Sequence, residues 1–137
     1  MATKAEIIAF LQTDFPQFRA SIESVGDQSC RLRQVVADTD LRPGGTVSRP
    51  VLFALADSAL YVAVLGEIGI VPLAVTTNIT INFLRRPTPD ADLIAECKLI
   101  KVGRKLIVGE VSLYSDGNPD PISHAVGTYA VPPDKYK

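Results

Sequence analysis

Residues 51–65 read Val-Leu-Phe-Ala-Leu-Ala-Asp-Ser-Ala-Leu-Tyr-Val-Ala-Val-Leu, apolar on nearly every side, with one carboxylate, Asp57, inside the run. Such a segment is either a buried strand or a buried helix. Its length and its alanines favour a helix over about 50–66, ended by Gly66 and Gly69. A helix that is apolar all round must be enclosed by the rest of the protein. The other segments therefore have to build a wrapper around it. The chain has 137 residues, 47% of them hydrophobic, which is enough for one core and predicts a single domain over 1–137.

The wrapper reads as β-structure. Ala20–Val25 and Ser29–Ala37 are two expected strands joined at Gly26-Asp27; in the second, Cys30, Leu32, Gln34 and Val36 share one face. Asp38–Val47 reads as a loop. Leu73–Leu84 is a long run of Val, Ile and Thr, and Leu93–Val102, Lys105–Tyr114 and Ile122–Val131 follow. Turns at Gly103-Arg104 and Asp116-Gly117-Asn118-Pro119 make the last three an antiparallel meander. A short amphipathic helix over 4–13 precedes all of this. Thr3 and Glu6 form a capping-box pattern at its start, and Pro16 lies beyond its end. The expected class is α+β, one antiparallel sheet wrapped around one long central helix. Strand edges left open on such a sheet would be covered by pairing two chains.

Net charge is −1 with no run of like charges, which excludes an electrostatic footprint for nucleic acid or an anionic membrane. The segment Pro50–Leu65 is shorter than the ~20 residues that span a bilayer and carries an aspartate. The first residues lack the apolar stretch of a signal peptide, so a cytoplasmic location is expected. Cys30 and Cys97 are distant in sequence and are read as reduced and structural. His124 has no second ligand at metal spacing, so neither a metal site nor a catalytic role is assigned to it.

Asp57 is the most informative residue. An ionised carboxylate buried without partners is expensive, so its pKa should rise unless donors surround it. It either fixes packing or does chemistry. Ser58 points about 100° away on the helix and is read as bonding locally. Ahead of the helix stands Gly44-Gly45-Thr46-Val47-Ser48-Arg49-Pro50. Proline favours the first helical position, which makes Ser48 or Arg49 the N-cap. The amides of Arg49, Val51 and Leu52 would then be free donors at the positive helix end, suited to a developing oxyanion.

The stretch from Gly45 to Ala59, with its Leu55-Ala56-Asp57 core, resembles the signature of the PaaI-like acyl-CoA thioesterases of the hotdog superfamily. Thr76–Pro87, ending Phe-Leu-Arg-Arg-Pro, resembles that family's strand after the helix. Val102–Glu110 resembles its central hairpin, and the likeness extends over about 17–132. The resemblance implies a hotdog fold, acyl-CoA as substrate, no cofactor, and a homodimer or dimer of dimers with the acyl group in a tunnel at the dimer interface. It implies that Asp57 activates water or attacks the thioester, and that the backbone amide of Arg49 polarises its carbonyl. A small polar residue across the dimer interface, Thr76 or Thr77, would hold the water. Ser48-Arg49-Pro50 replaces the family's His-Gly-Gly, so no histidine stands there. A non-catalytic acyl or acyl-CoA binding protein on the same scaffold is the alternative.

Arg85 and Arg86, beside Pro87, are either phosphate contacts or a solvated strand end, and Arg104 and Lys105 are weighed the same way. Phe53 and Tyr61 are assigned to core packing. Asn78, Thr80 and Asn82 alternate on a face that is solvated or lines a wet interface.

Overall fold

The computed structural model describes residues 1–88 and 90–133. Helix α1 spans Lys4–Asp14 with the Thr3 hydroxyl accepting from the Glu6 amide and the Glu6 carboxylate accepting from the Thr3 amide. Strands β1 (Ser21–Gly26) and β2 (Ser29–Gln34) follow. Asp27 and Gln28, both with positive φ, form the turn between them. Helix α2 runs Arg49–Ile68, then come β3 (Val75–Phe83), β4 (Leu93–Val102), β5 (Leu106–Ser115) and β6 (Ser123–Ala130).

All strand pairs are antiparallel, in the order β1-β2-β4-β5-β6-β3. The β4-β5-β6 meander is present, and α2 packs against all six strands. This is the hotdog fold, a six-stranded sheet wrapped around one long helix. The topology holds one feature that local patterning does not reveal. After α2 the chain does not return beside β2 but crosses to the far side, so β3 is an edge strand, paired among the described residues only to β6.

Close backbone approach explains two glycines. A Cβ on Gly127 would lie 2.6 Å from Leu60 Cδ1, and one on Gly109 would lie 2.8 Å from Leu60 Cδ2. Any side chain there would push α2 off the sheet. Gly66 does not end the helix. It sits within α2, where a Cβ would meet Val25 Cγ2 at 2.6 Å. Gly69, at φ 98°, is the C-cap.

Two expectations about α2 need correction. At 20 residues it is long and apolar enough to cross a bilayer by length and composition. Its packing against every strand identifies it as a core helix. Nor is it enclosed all round. Residues 59–66 are buried without a break, whereas Phe53 is 41% exposed and Pro50 and Ala54 are also exposed. That stripe lies beside β3, itself edged by exposed Val75, Phe83 and Leu84. Phe53 is thus not a core residue, because no strand among the described residues covers its side of the helix. Tyr61 is buried.

Candidate active site

The loop before α2 is built on an ion pair whose carboxylate is buried and whose guanidinium is partly exposed. A short 3-10 turn at Asp38–Asp40 places the Asp40 carboxylate, 3% exposed, against the Arg19 guanidinium. Arg19 Nη2 donates to Oδ2 at 2.8 Å, and the Ala37 amide donates to the same oxygen at 2.8 Å. Arg19 holds the Asp40 carboxyl below the usual carboxylate range. The chain then doubles back through Leu41 and Val47, with Gly44 and Gly45 at positive φ. The Ser48 amide ends the excursion by donating to the Asp40 carbonyl at 2.8 Å.

Ser48 is the N-cap, Arg49 the first helical residue and Pro50 the second. The Ser48 hydroxyl makes no capping bond. Its carbonyl accepts from the amides of Val51 (3.2 Å) and Leu52 (3.4 Å). Those two donors are therefore not free, contrary to the expectation from the sequence. The Arg49 amide alone has no acceptor among the described residues, since Pro50 has no N–H. The Arg49 guanidinium lies over the Phe83 ring, 5.2 Å from its centroid.

Two turns further along α2, half-buried Asp57 meets two hydroxyl donors. Thr76 Oγ1 donates to Asp57 Oδ1 at 2.6 Å, and the Tyr129 hydroxyl donates to the same oxygen at 2.9 Å. Asp57 Oδ2 accepts no hydrogen bond among the described residues. Burial first, and the neighbouring carboxylate as well, push the Tyr129 phenol far above its ordinary range, so it stays protonated and a donor. Tyr61 stacks on Tyr129 with centroids 6.0 Å apart. These groups line a pocket of about 390 Å³ together with Phe10, Phe15 and Val75. Ser58 opens onto the same pocket and its hydroxyl makes no hydrogen bond among the described residues, so the local bond expected of it is not formed.

Thr76 reaches Asp57 of its own chain. β3 carries an irregularity between Thr76 and Asn78. Thr76 faces the helix, while the Thr77 hydroxyl donates to the Thr128 carbonyl instead. The sequence reading missed Tyr129, which lies 72 residues from Asp57. Its one available signal was the inward alternation of Ala125, Gly127 and Tyr129 on β6.

A second pocket, about 460 Å³, lies at the start of α2 and is lined by Arg42, Arg49, Arg85, Arg86 and Phe83, with no carboxylate among the described residues of its wall. Arg85 donates to the Pro121 carbonyl. Arg42 and Arg86 form no ion pair among the described residues. Arg104 and Lys105 are exposed in the β4-β5 turn, outside both pockets.

His124 stands on the outer sheet face, its Nε2 3.0 Å from Glu110 Oε1. Cys30 and Cys97, remote in sequence, face each other in the β2-β4 register, both buried. The contact with Cys97, together with burial, raises the Cys30 thiol well above its ordinary range, which leaves it inert.

The thioesterase superfamily model matches residues 44–122, more than half of the chain. A protein of known structure from Silicibacter sp. TM1040, described as a candidate thioesterase, is 41% identical. That match covers 96% of this chain and 92% of that one, with a TM-score of 0.88. The phenylacetic acid degradation protein PaaI of Thermus thermophilus, solved as a mutant, shares 19% identity over 90% of this chain and 99% of that one, with a TM-score of 0.74. A hypothetical thioesterase of Streptococcus pneumoniae, solved with coenzyme A, shares 22% over 92% and 96%, with a TM-score of 0.78. The last two likenesses are of fold. No curated protein gives a significant match. The family match and the 41% identity assign the chain to the thioesterase superfamily, as a thioester hydrolase.

Proposed function

We propose that the protein hydrolyses acyl-CoA thioesters to the free acid and CoA, with Asp57 as the catalytic carboxylate. The observation that carries this reading is the asymmetry of that carboxylate. Oδ1 is held by Thr76 and Tyr129, while Oδ2 accepts no hydrogen bond among the described residues and Asp57 lines the pocket. A carboxylate fixed by one oxygen and open at the other is oriented to take a proton from water or to attack a carbonyl itself. In the first case the water oxygen bonds to the thioester carbon and the C–S bond breaks. The proton passes through Asp57 to the departing thiolate.

The Arg49 amide is the proposed oxyanion donor, being the one amide of the helix start that lacks an acceptor among the described residues. Eight residues separate it from Asp57, roughly 12 Å along the axis at 1.5 Å per residue. One thioester carbonyl cannot meet both in the same chain, because each must lie within hydrogen-bond reach of the reacting group. The working site is therefore proposed to form in a homodimer, the Arg49 amide of one protomer beside the Asp57-Thr76 pair of the other. The exposed stripe Pro50, Phe53 and Ala54, together with the unpaired edge of β3, is the surface that such a dimer would bury. The arginine-lined pocket at the helix start supplies guanidinium groups for the CoA phosphates. Coenzyme A is bound by the S. pneumoniae relative.

The test is thiol release from a panel of acyl-CoA thioesters by wild type and Asp57→Ala, with sedimentation equilibrium on both. We expect a dimer or higher assembly in each, and turnover lowered by about 10²–10⁴-fold in the variant. A folded Asp57→Ala that turns over like wild type would remove Asp57 from the mechanism. No turnover in either protein would favour the binding-protein alternative.

A further inference from the structure

Phe15 separates two cavities. It is the C-cap of α1, its amide donating to the Leu11 carbonyl at 2.9 Å, and Pro16 prevents the helix from continuing past it. The Phe18 amide donates back to the Phe15 carbonyl at 3.0 Å, so the backbone is held on both sides of the ring. On one side the ring meets Tyr61, centroids 6.3 Å apart, and Tyr61 belongs to the Asp57 pocket. On the other it meets Phe18 edge-on at 5.7 Å, and Phe18 lines a groove of about 550 Å³ between α1 and β1. Among the described residues, Phe15 alone is common to the two linings.

The groove is walled mainly by Ile8, Leu11, Pro16, Phe18 and Ile22. Lys4, the one charged residue in its lining, has its ammonium engaged by the Glu23 carbonyl. Nothing in this wall performs chemistry. Its apolar surface suits a hydrocarbon chain, and its neighbour beyond Phe15 is the pocket where a thioester would react.

Resting on the hydrolase reading above, we infer that Phe15 sets the acyl-chain length. Its ring ends the pocket at the distal side of Asp57 and confines turnover to acyl groups that stop there. The α1-β1 groove is the space a longer alkyl tail occupies once the ring is removed. The physical cause is steric: a ring held by its backbone at both ends and packed between two other rings cannot swing aside without losing both aromatic contacts.

The experiment compares kcat/KM for acetyl-, butanoyl-, hexanoyl-, octanoyl-, dodecanoyl- and hexadecanoyl-CoA in wild type, Phe15→Ala and Phe15→Trp. We expect the long-to-short ratio to rise at least roughly tenfold in the alanine variant and to fall in the tryptophan variant, since each methylene admitted or refused is worth about that much. Phe15→Leu, which keeps most of the packing, replaces the alanine variant if its thermal melt is not cooperative. The same direction is expected of it. Titration with cis-parinaric acid, a fluorescent long-chain fatty acid, gives a readout independent of turnover, with binding expected to tighten roughly tenfold in Phe15→Ala. Hydrolysis by wild type with one unchanged length profile in every variant would overturn the inference and leave the hydrolase reading intact. Absence of hydrolysis would overturn that reading, and equal parinarate binding by wild type and Phe15→Ala would then overturn the inference as well.

Discussion

The two halves of α2 share one helix and do opposite work. Residues 59–66 are buried without interruption and contain no ionisable group except the Tyr61 phenol. Residues 49–58 hold Arg49, Asp57 and Ser58 and leave Phe53 exposed. The first half is held by close packing, Leu60 sitting over Gly109 and Gly127. The second adds polar contacts to the buried Leu52, Leu55 and Ala56, from Asp40 under the Ser48 amide to Thr76 and Tyr129 on Asp57. Rigidity in the first half lets the second be open. A carboxylate can be aimed at a pocket only if the helix carrying it does not move.

The comparison breaks most sharply at Leu60. Leu60→Ala should lower stability by about 2–5 kcal/mol, because the two glycines beneath it have no side chains that could fill the gap. Denaturant unfolding measures this loss, and turnover per folded molecule should be retained. If turnover falls further than the folded fraction does, the two halves are not separable.

The anchor of the open half comes next. Arg19→Ala leaves the buried Asp40 carboxylate with the Ala37 amide as its one remaining donor among the described residues. It should cost about 1.5–3 kcal/mol as a lost charge-assisted bond, toward the lower end because Arg19 is 44% exposed. The folded-state pKa of Asp40 is depressed, so the contribution is present above the unfolded value and is lost as pH falls through the folded one. The difference between wild type and variant should thus be full above about pH 5 and vanish in stronger acid. A difference independent of pH would mean that Arg19 acts through packing alone.

Tyr129 joins the halves, being rooted in the sheet beneath α2 and bonded to Asp57. Tyr129→Phe removes one of two hydroxyl donors and should cut turnover roughly fivefold, equivalent to about 1 kcal/mol. Unchanged kcat would leave Thr76 as the sole orienting group. The smallest effect is expected at the rim: Arg86→Ala should raise KM roughly two- to fivefold with kcat unaltered, and less so at high salt.

Much of this architecture is legible along the chain. The apolar run 51–65 required a long core helix, the Val, Ile and Thr runs supplied strands, and Gly103 and Gly117 marked the hairpins of the meander. Each of these signals is local, carried by side-chain periodicity or turn chemistry within a few residues. Asp57 stood out for the same reason, as one charge in an apolar segment. The contacts that make it a candidate site are not local. Tyr129 reaches it across 72 residues, Arg19 finds Asp40 across 21, and Cys30 meets Cys97 in a register set by pairing.

The sequence by itself therefore determined the kinds of element, their order and the odd carboxylate among them, because propensity, period and burial cost act residue by residue. Only the tertiary structure decided that β3 crosses to the far edge, that the outer stripe of α2 stays uncovered, and that Phe15 stands between two cavities. Those outcomes depend on which surfaces meet when sheet closes on helix. Packing between distant segments settles that, with Gly127 admitting Leu60 and so bringing the Tyr129 hydroxyl to Asp57.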